Sequence, residues 1–343
     1  MLILGDVAFP YHELNVDISP CDTILLNCEG YVVDSLGLVA NDLPGVFNNV
    51  DALSCYPCDQ LIIGLANNHV MDSSVGASES IRFAKERGYM TVGAGASLAE
   101  ALEPLTLTEK EAEVAIIAAG WDVIGCKPAT KDRQGVAPLS DSLIIPKISE
   151  QKAKGRKVLV YLHWGYELEI YPHPAHRESA KLYIDTGADI VIGCHSHCLQ
   201  GFEVYKGKPI FYGLGNAIFQ EGYYWNGRLS FPDFCKVGLA VEWDPVANRV
   251  EVASVQLTDG LVEFSEFSNP QANVQLMSLS GFSGMSSLQY IEFFRDSRRK
   301  KKFLPIFKER DSSFLYRAKV AYVRFRGYLI SVLFKLGLKG RSR

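Results

Sequence analysis

Five short hydrophobic runs in this chain each end in a polar residue of a kind that binds metals or catalyses reactions. Runs of this kind, separated by helical stretches, are typical of buried parallel strands. Residues 2–5 precede Asp6, residues 24–26 precede Asn27, Cys28 and Glu29, and residues 61–65 precede Asn67, Asn68 and His69. Residues 158–162 precede His163, and residues 190–193 precede Cys194, His195 and His197. Because ligands of open α/β sheets gather outside the carboxyl ends of the strands, we expect these distant side chains to converge on one small volume.

The spacing of apolar residues between and beyond these runs predicts the remaining elements. Helical spacing extends over residues 73–88 and 175–186. Residues 105–119 and 202–212 have hairpin signatures, and residues 237–243 and 249–257 alternate like antiparallel strands. The fold class is therefore α/β, as either a parallel sheet extended by antiparallel strands or two stacked mixed sheets.

Composition places the chain among globular proteins and reveals a division of charge. Hydrophobic residues make up 48% and charged residues 22% of 343 positions, which excludes a disordered protein. Residues 291–343 carry sixteen Lys/Arg against four Asp/Glu, a net charge of +12, so that residues 1–290 carry −16. This division indicates an acidic catalytic body and a basic tail that has a partner of its own.

The basic region has a helical pattern of its own. One helical stripe carries Arg317, Arg324, Tyr328, Ser331, Lys335 and Lys339, with Lys319 and Arg326 on the opposite side. We expect residues 291–343 to form a basic amphipathic helical tail, joined to a body of residues 1–265 by a polar linker over 266–290. The tail is expected to bind an anionic membrane surface or a membrane synthase. The alternative is that it packs back on the acidic body.

The cellular location follows from signals that the sequence lacks. No basic and apolar leader precedes the first predicted strand, and no stretch reaches the roughly 18 apolar residues of a membrane-spanning helix. We therefore expect a cytoplasmic protein, peripheral on the inner face of the membrane through its tail, with its eight cysteines mostly reduced. The acidic body and the lack of a recognised nucleic-acid motif argue against nucleic acid as a partner.

The polar residues at the strand ends form a candidate metal-binding set. A His-x-His sequence alone is weak evidence for a metal, but here it accompanies other such residues. The set consists of Asp6, Glu29, Asn68, His163, His195 and His197. Carboxylate, amide and imidazole ligands together suit Mn²⁺, Zn²⁺ or Fe.

At this point the chain resembles a known family, the bacterial capsule-synthesis CapA or poly-γ-glutamate-synthesis family of the calcineurin-like metallophosphoesterases. The matching motifs are Gly5-Asp6, Asn27-Cys28-Glu29-Gly30, the stretch 65–72, Leu162-His163-Trp164-Gly165, and the stretches 187–197 and 200–216. The resemblance covers roughly residues 1–260. It implies a four-layer α/β/β/α metallophosphoesterase-like sandwich with a centre of two divalent metal ions.

The resemblance also implies roles for single residues. Asp6 and His197 would bind one metal, Asn68, His163 and His195 the other, and Glu29 would bridge the two where most relatives use Asp. His69 would be the nearby acid, oriented by Asp72. The histidine usual two residues after the first Asp is absent, and Ala8 stands there. That metal is thus one protein ligand short, and His12 is a candidate substitute.

Two functions from different classes follow. The first is a hydrolase in capsule or exopolymer biosynthesis, in which a metal-bridged water attacks a phosphoester or amide of an anionic polymer (poly-γ-glutamate or a polysaccharide) or of a phosphorylated precursor. The second is a non-catalytic accessory subunit of a membrane-associated polymer synthase. For the first, the candidate substrate-binding residues are Asn67, Trp164, Glu167, Arg177 and Asn216.

Overall fold

The chain folds into two mixed β-sheets with helices outside them. A computed structural model describes residues 1–10, 14–19, 21–34, 44–225, 229–299, 304–308 and 311–335. In chain order the first strands are β1 (Leu2–Ala8), β2 (Asn15–Asp17), β3 (Cys21–Cys28), β4 (Tyr31–Val33), β5 (Phe47–Asn49), β6 (Cys58–Gly64), β7 (Met90–Val92), β8 (Ala94–Gly95), β9 (Leu105–Glu109) and β10 (Ala112–Gly120). The later strands are β11 (Gly135–Val136), β12 (Lys157–His163), β13 (Ile190–Cys194), β14 (Phe202–Tyr205), β15 (Lys208–Phe211), β16 (Asn216–Phe219), β17 (Val237–Asp244), β18 (Arg249–Thr258) and β19 (Leu261–Phe264).

The first sheet, in the part of the chain that the structure describes, contains nine strands in the order β2-β19-β18-β17-β1-β3-β6-β7, with β16 also paired to β1. Strands β1, β3, β6 and β7 are parallel, and β17 to β19 extend them in antiparallel fashion. The register places Asp6 beside Asn27 of β3 and beside Asn216 of β16. Polar residues from separate parts of the chain thus lie at the same level of this sheet.

The second sheet has the order β14-β15-β13-β12-β10-β9 among the described residues. Its central strands β10, β12, β13 and β15 are parallel, and hairpins close both sides, as the patterns over 105–119 and 202–212 predict. Register pairs His163 with Gly120 and with Cys194. The strand that ends at His163 is therefore flanked by the strand that leads to His195.

Alternate residues of the second sheet face two different cores, as the two-residue period of a strand requires. In β12, Leu159 and Tyr161 belong to the core shared with the first sheet, whereas Val158 and Val160 belong to a second core on the helical side. The Tyr161 hydroxyl donates a hydrogen bond to Leu4 O at 2.6 Å, which links the two sheets. The sheets therefore pack face to face, and of the two expected sheet arrangements the stacked one is confirmed.

Helices cover the outer faces of the two sheets. They are α1 (Gly76–Glu86), α2 (Leu98–Ala101), α3 (Asp141–Ala153), α4 (Pro174–Thr186), α5 (Val274–Ser278), α6 (Ser287–Ser297) and α7 (Ser313–Lys335). Helix α1 packs on β4 and β7 on the side of the first sheet, while α3 and α4 pack on the second sheet. The four-layer α/β/β/α arrangement is therefore confirmed.

Residues 266–290, expected to be a linker, pack on the body instead. Leu276 and Phe282 are fully buried, and the backbone N–H of Phe202 donates to Ser280 Oγ at 2.9 Å. Helix α6 already begins within this stretch. The linker prediction is wrong because a few large side chains, spaced by polar residues, are enough to anchor an irregular segment that composition alone marks as polar.

The C-terminal helix α7 packs on the body by one face. Val320 is buried, and Arg324 Nη2 pairs with Asp122 at 2.9 Å. Arg317 and Arg324 of the predicted basic stripe are both exposed, and Arg324 contacts the body through this ion pair. Lys339 and the side chains of Ser331 and Lys335, which complete that stripe, lie outside the described residues.

The opposite face of α7 is exposed and aromatic. Phe314, Tyr322, Phe325 and Tyr328 are exposed by 83%, 49%, 61% and 66%, although large apolar side chains usually seek burial. Of the helices within the described ranges, none has the length and hydropathy to cross a membrane.

Candidate metal centre

The carboxyl ends of strands from both sheets meet at one edge of the sandwich, and the predicted metal-binding side chains lie there. Asp6 lies in β1, and Glu29 directly follows β3 in the first sheet. His163 ends β12, and His195 directly follows β13 in the second sheet. Because β1 also contacts β13, the face-to-face packing of the sheets brings these four residues together.

Within the described residues, one group of three side chains is close enough to share a metal ion. Glu29, His163 and His195 each offer one ligand atom, these atoms lie within 4.8 Å of one another, and all three residues are buried. His163 Nε2 lies 3.0 Å from His195 Nδ1, 3.6 Å from Glu29 Oε2 and 2.6 Å from Asn68 Oδ1. The carboxylate, amide and imidazole donors expected to share one ion are therefore gathered around one point.

The chemistry of this donor group fits a divalent cation. A carboxylate with two imidazoles and an amide oxygen is a set that Mn²⁺, Fe²⁺ and Zn²⁺ accept. Burial, reinforced by the neighbouring His195 and His197, holds the pKa of His163 well below its usual range. The imidazole is therefore neutral, which is the form that binds metals.

Asp6 and His197 form the other half of the site and are held by protein partners. The backbone N–H of His195 donates to the two oxygens of Asp6 at 3.2 and 3.1 Å. His197 Nδ1 lies 3.5 Å from Asp6 Oδ2. Burial raises the pKa of Asp6 to about 7, while hydrogen bonds from Asn27 and from the backbone of His195 and His197 act in the opposite direction.

Asn216, expected to bind substrate, is instead the hydrogen-bond partner of His197. Its Oδ1 lies 2.9 Å from His197 Nδ1, and its Nδ2 donates to Cys235 O at 3.5 Å. Because an amide oxygen only accepts, this contact puts the proton of His197 on Nδ1 and the lone pair on Nε2. The residue orients a candidate ligand, which is a role that the sequence does not reveal.

Asn27 lies at the centre of the site, although sequence reasoning assigned it no role. Its Nδ2 donates to Asp6 Oδ1 at 2.7 Å and to Glu29 Oε2 at 2.9 Å, and lies 3.3 Å from His163 Nδ1. One amide group thus joins the two carboxylates of the site and one of its imidazoles. The signal available was its position two residues before Glu29, at the end of the same apolar run.

The loop that carries both histidines has an unusual backbone. His195 has φ of 89° and His197 has φ of 54°, in the left-handed region that non-glycine residues rarely adopt. Each such residue costs on the order of 1–3 kcal/mol, and such conformations cluster at functional sites. The strained turn allows two side chains at i and i+2 to reach the same site.

His69 and Asp72 have the geometry of an oriented imidazole. His69 Nδ1 lies 2.6 Å from Asp72 Oδ2, and His69 Nε2 lies 3.9 Å from Glu29 Oε1. The ring therefore directs Nε2 toward the metal centre. This arrangement agrees with the pairing that the family resemblance implies.

The side-chain amide of Asn67 hydrogen-bonds to backbone groups, which does not fit the expected role in substrate binding. Its Oδ1 accepts hydrogen bonds from the N–H groups of Gly30, His69 and Val70, and its Nδ2 donates to Cys28 O at 2.7 Å. With its amide satisfied and fully buried, Asn67 fastens the loop of Glu29 to the turn that carries His69.

Two further substrate-binding expectations are corrected by burial. Trp164 is fully buried, and its Nε1 donates to Tyr212 O at 2.9 Å. Arg177 is also buried, and its Nη2 donates to Glu203 Oε2 at 2.8 Å and to Met285 O at 3.0 Å. Their positions near functional motifs suggested a cleft, but a side chain without exposed surface cannot contact a substrate there.

Glu167, expected to bind substrate, lines a large cleft. The cleft has a volume of about 730 Å³, and His195 also lines it. A cleft of this size is large enough for a small molecule or for several units of a polymer. Of the five residues expected to bind substrate, Glu167 is the one that the structure places on this cleft.

The position that departs from the family pattern lies in an aromatic cluster. Ala8 is fully buried and belongs to the same apolar cluster as Phe219 and Phe231, whose rings contact His197 at centroid distances of 5.4 and 4.7 Å. His12, the candidate substitute ligand, lies outside the described residues. Aromatic side chains thus occupy the neighbourhood of the Asp6 and His197 half.

Comparison with known proteins agrees with the motifs. A family model described as bacterial capsule synthesis protein PGA_cap matches residues 10–221, more than half of the chain. The PGA biosynthesis protein CapA of Bacillus subtilis (strain 168) is 37% identical over 165 residues, or 47% of this chain and 43% of that protein. The capsule biosynthesis protein CapA of Bacillus anthracis is 34% identical over 167 residues, or 47% and 41%. The match thus spans less than half the length of either relative. A solved structure of a hypothetical protein from Thermus thermophilus has a TM-score of 0.40 at 14% identity, covering 78% of this chain and 96% of that one.

Proposed function

This chain belongs to the bacterial capsule synthesis protein family, and on that premise we propose that it is a metal-dependent hydrolase in the production of an anionic capsule polymer. The bond cleaved is a phosphoester or an amide, in poly-γ-glutamate, in a polysaccharide or in a phosphorylated precursor. The observation that carries the proposal is the convergence of Glu29, His163 and His195, the last of which lines a large cleft.

The residues of the centre would hold two divalent ions of Mn, Fe or Zn. They are Asn68, His163 and His195 on one side, Asp6 and His197 on the other, and Glu29 between them. Such ions supply Lewis acidity and lower the pKa of water. The chain supplies buried carboxylates, buried imidazoles of which His163 is held neutral, and a strained loop that carries two of these groups.

His69 is the proposed proton donor to the leaving group. Asp72 accepts a hydrogen bond from His69 Nδ1 at 2.6 Å and thereby orients the ring. The opposite nitrogen, Nε2, faces the carboxylate of Glu29. Such a positioned acid contributes on the order of 10²–10⁴-fold to a rate.

The test combines metal content with hydrolysis in the full chain. Protein purified without chelator or added metal is assayed by mass spectrometry for metal, and then for release of product from poly-γ-glutamate and from a simple phosphodiester. Glu29→Gln is expected to lower hydrolysis by on the order of 100-fold or more, because a candidate metal-binding carboxylate is lost. The control is His176→Gln, which removes a buried imidazole outside the site. Full activity in Glu29→Gln would refute the hydrolase.

A non-catalytic accessory subunit of a membrane-associated synthase is the second candidate. The Asp6 half of the centre favours it, because the usual histidine is replaced by Ala8 and the backbone N–H of His195 already bonds Asp6. The exposed aromatic face of α7 and the +12 charge of residues 291–343 suit an anionic membrane surface, which for a cytoplasmic protein is the inner face. This candidate requires metal-independent binding and no turnover.

Flotation with vesicles tests the membrane surface. Replacement of Phe314 and Phe325 by Ser removes two exposed rings without disturbing the buried face of α7. We expect recovery with phosphatidylglycerol vesicles to fall severalfold, and recovery with neutral phosphatidylcholine vesicles to be low for both proteins. Equal flotation of the variant and the parent protein on anionic vesicles would refute membrane binding through this face.

A further inference from the structure

Helix α7 lines the cleft that contains His195. Besides His195 and Glu167, the lining includes Val323, Arg326 and Gly327 of α7. Helix α7 lies outside residues 10–221, the range of the family match. A part of the chain that the family match does not cover therefore shapes the cleft.

Positive charge dominates this cleft. Four cations and two carboxylates line it, namely Lys127, Arg133, Arg324 and Arg326 against Asp122 and Glu167. Arg324 is paired with Asp122 at 2.9 Å. In the ranges that the structure describes, Lys127, Arg133 and Arg326 form no ion pair with a carboxylate. Lys127 Nζ donates to Met71 O at 2.8 Å and keeps its charge. Three positive charges thus line the cleft without a carboxylate partner among the described residues, in a body whose overall charge is strongly negative.

Contacts within the C-terminal region hold α7 in this position. Lys319 Nζ donates to Asp311 Oδ2 at 2.6 Å and to Ile306 O at 2.7 Å, and Phe307 and Val320 are buried. The wall is therefore anchored on the N-terminal side of Arg326, first by the Lys319 contacts and then by the ion pair of Arg324 close beside it.

Gly327 leaves space where α7 faces the cleft. A Cβ atom built on this glycine meets no atom within 4 Å. A larger side chain at this position would therefore enter the cleft without displacing the protein around it. Gly327 thus offers a way to fill the cleft while its charges and the fold are unchanged.

We propose that α7 is the specificity wall of the substrate cleft, and that Lys127, Arg133 and Arg326 bind successive carboxylates of a polycarboxylate chain that leads to the metal centre. The proposal rests on the proposed function. The three cations lie on two separate segments of the lining, residues 127–133 and α7, so they can engage several charges of one polyanionic chain. Carboxylates are chosen because the proposed function names a polycarboxylate among its substrates. They would act in binding and alignment, while the buried groups of the centre act on the bond.

The experiment measures equilibrium binding of a fluorescent poly-γ-glutamate oligomer to the full chain by anisotropy, with a chelator present so that turnover does not interfere. Arg326→Gln is expected to raise the Kd by about fivefold, which corresponds to a loss of about 1 kcal/mol in binding free energy. Arg317→Gln, which removes an exposed charge of the same helix outside the cleft, is the matched control and is expected to leave the Kd unchanged. An equal loss in both variants would refute a specific wall, because it would show attraction to net charge alone.

A second pair of variants tests the path of the polymer. Gly327→Leu is expected to weaken binding by about tenfold, and Gly327→Ala much less, while circular dichroism reports unchanged helix content. Unchanged affinity in a folded Gly327→Leu protein would refute a path along α7. If a polyphosphate of equal length bound more tightly than the poly-γ-glutamate oligomer, the assignment of carboxylates as the bound groups would be refuted. Because binding is measured without turnover, this inference and the hydrolase proposal fail independently.

Discussion

The two halves of the candidate metal centre are built from similar residues but differ in how their candidate ligand atoms are engaged. On one side, Glu29, His163 and His195 direct donor atoms at one another within 4.8 Å. On the other side, the Asp6 carboxylate accepts hydrogen bonds from the Asn27 amide and from the backbone of His195. Asn27 also donates to Glu29, so the halves differ in the backbone N–H of His195, which bonds the carboxylate of the second half, and in the convergence of three donors in the first.

This difference teaches that residue identity alone does not make two equal metal sites. The backbone N–H of His195, on the strained loop, donates to the Asp6 carboxylate. The neighbourhood of His197 is aromatic, and Ala8 brings no ligand. We therefore expect the first half to bind metal more tightly than the second.

The largest effect is expected from a pair of variants that separates the halves. His195→Gln should weaken binding of the tighter metal equivalent by on the order of 100-fold, because it removes one of the three convergent donors. His197→Gln should leave the affinity for the tighter metal ion nearly unchanged and abolish only the binding of the weaker metal ion. Calorimetric titration of metal-free protein with Mn²⁺ measures both. Equal losses in the two variants would show that the centre binds its metals as one indivisible unit.

A smaller effect is expected from Asn27→Ala, which sharpens the same comparison. The substitution removes the amide donor between two buried carboxylates and should lower the free energy of unfolding by about 3 kcal/mol in the presence of chelator. Metal would then neutralise those carboxylates, so Mn²⁺ should stabilise the variant more than the parent protein. Urea denaturation with chelator and with Mn²⁺ measures the difference. Identical destabilisation under both conditions would mean that Asn27 contributes packing alone.

Much of the site could be anticipated because parallel strands place their carboxyl ends at one edge of a sheet. Asp6, Glu29, His163 and His195 each follow or end an apolar run, and the structure gathers all of them. The failures concern Trp164 and Arg177, which stand close in sequence to functional motifs. Whether such a side chain faces a cleft or a core depends on helices packed behind the sheet, and the one-dimensional pattern does not contain that information.

The linker and the tail show the same limit. Polar composition over 266–290 suggests a segment without contacts, yet the buried side chains of Leu276 and Phe282 anchor it. Helical periodicity in 313–335 predicts a helix with a basic side, and α7 is there. It does not predict that Arg324 would pair with Asp122, because the two residues are 202 positions apart.

By itself the sequence determined the alternation of strands and helices, the family, and the set of residues able to bind metal, since these depend on local periodicity and on side-chain chemistry. Only the tertiary structure decided which of those residues share one point, that Asn27 joins the two carboxylates, and that α7 lines the cleft. Such facts depend on strand register, on the packing of two sheets and on contacts between distant segments. These are long-range properties that no local pattern encodes.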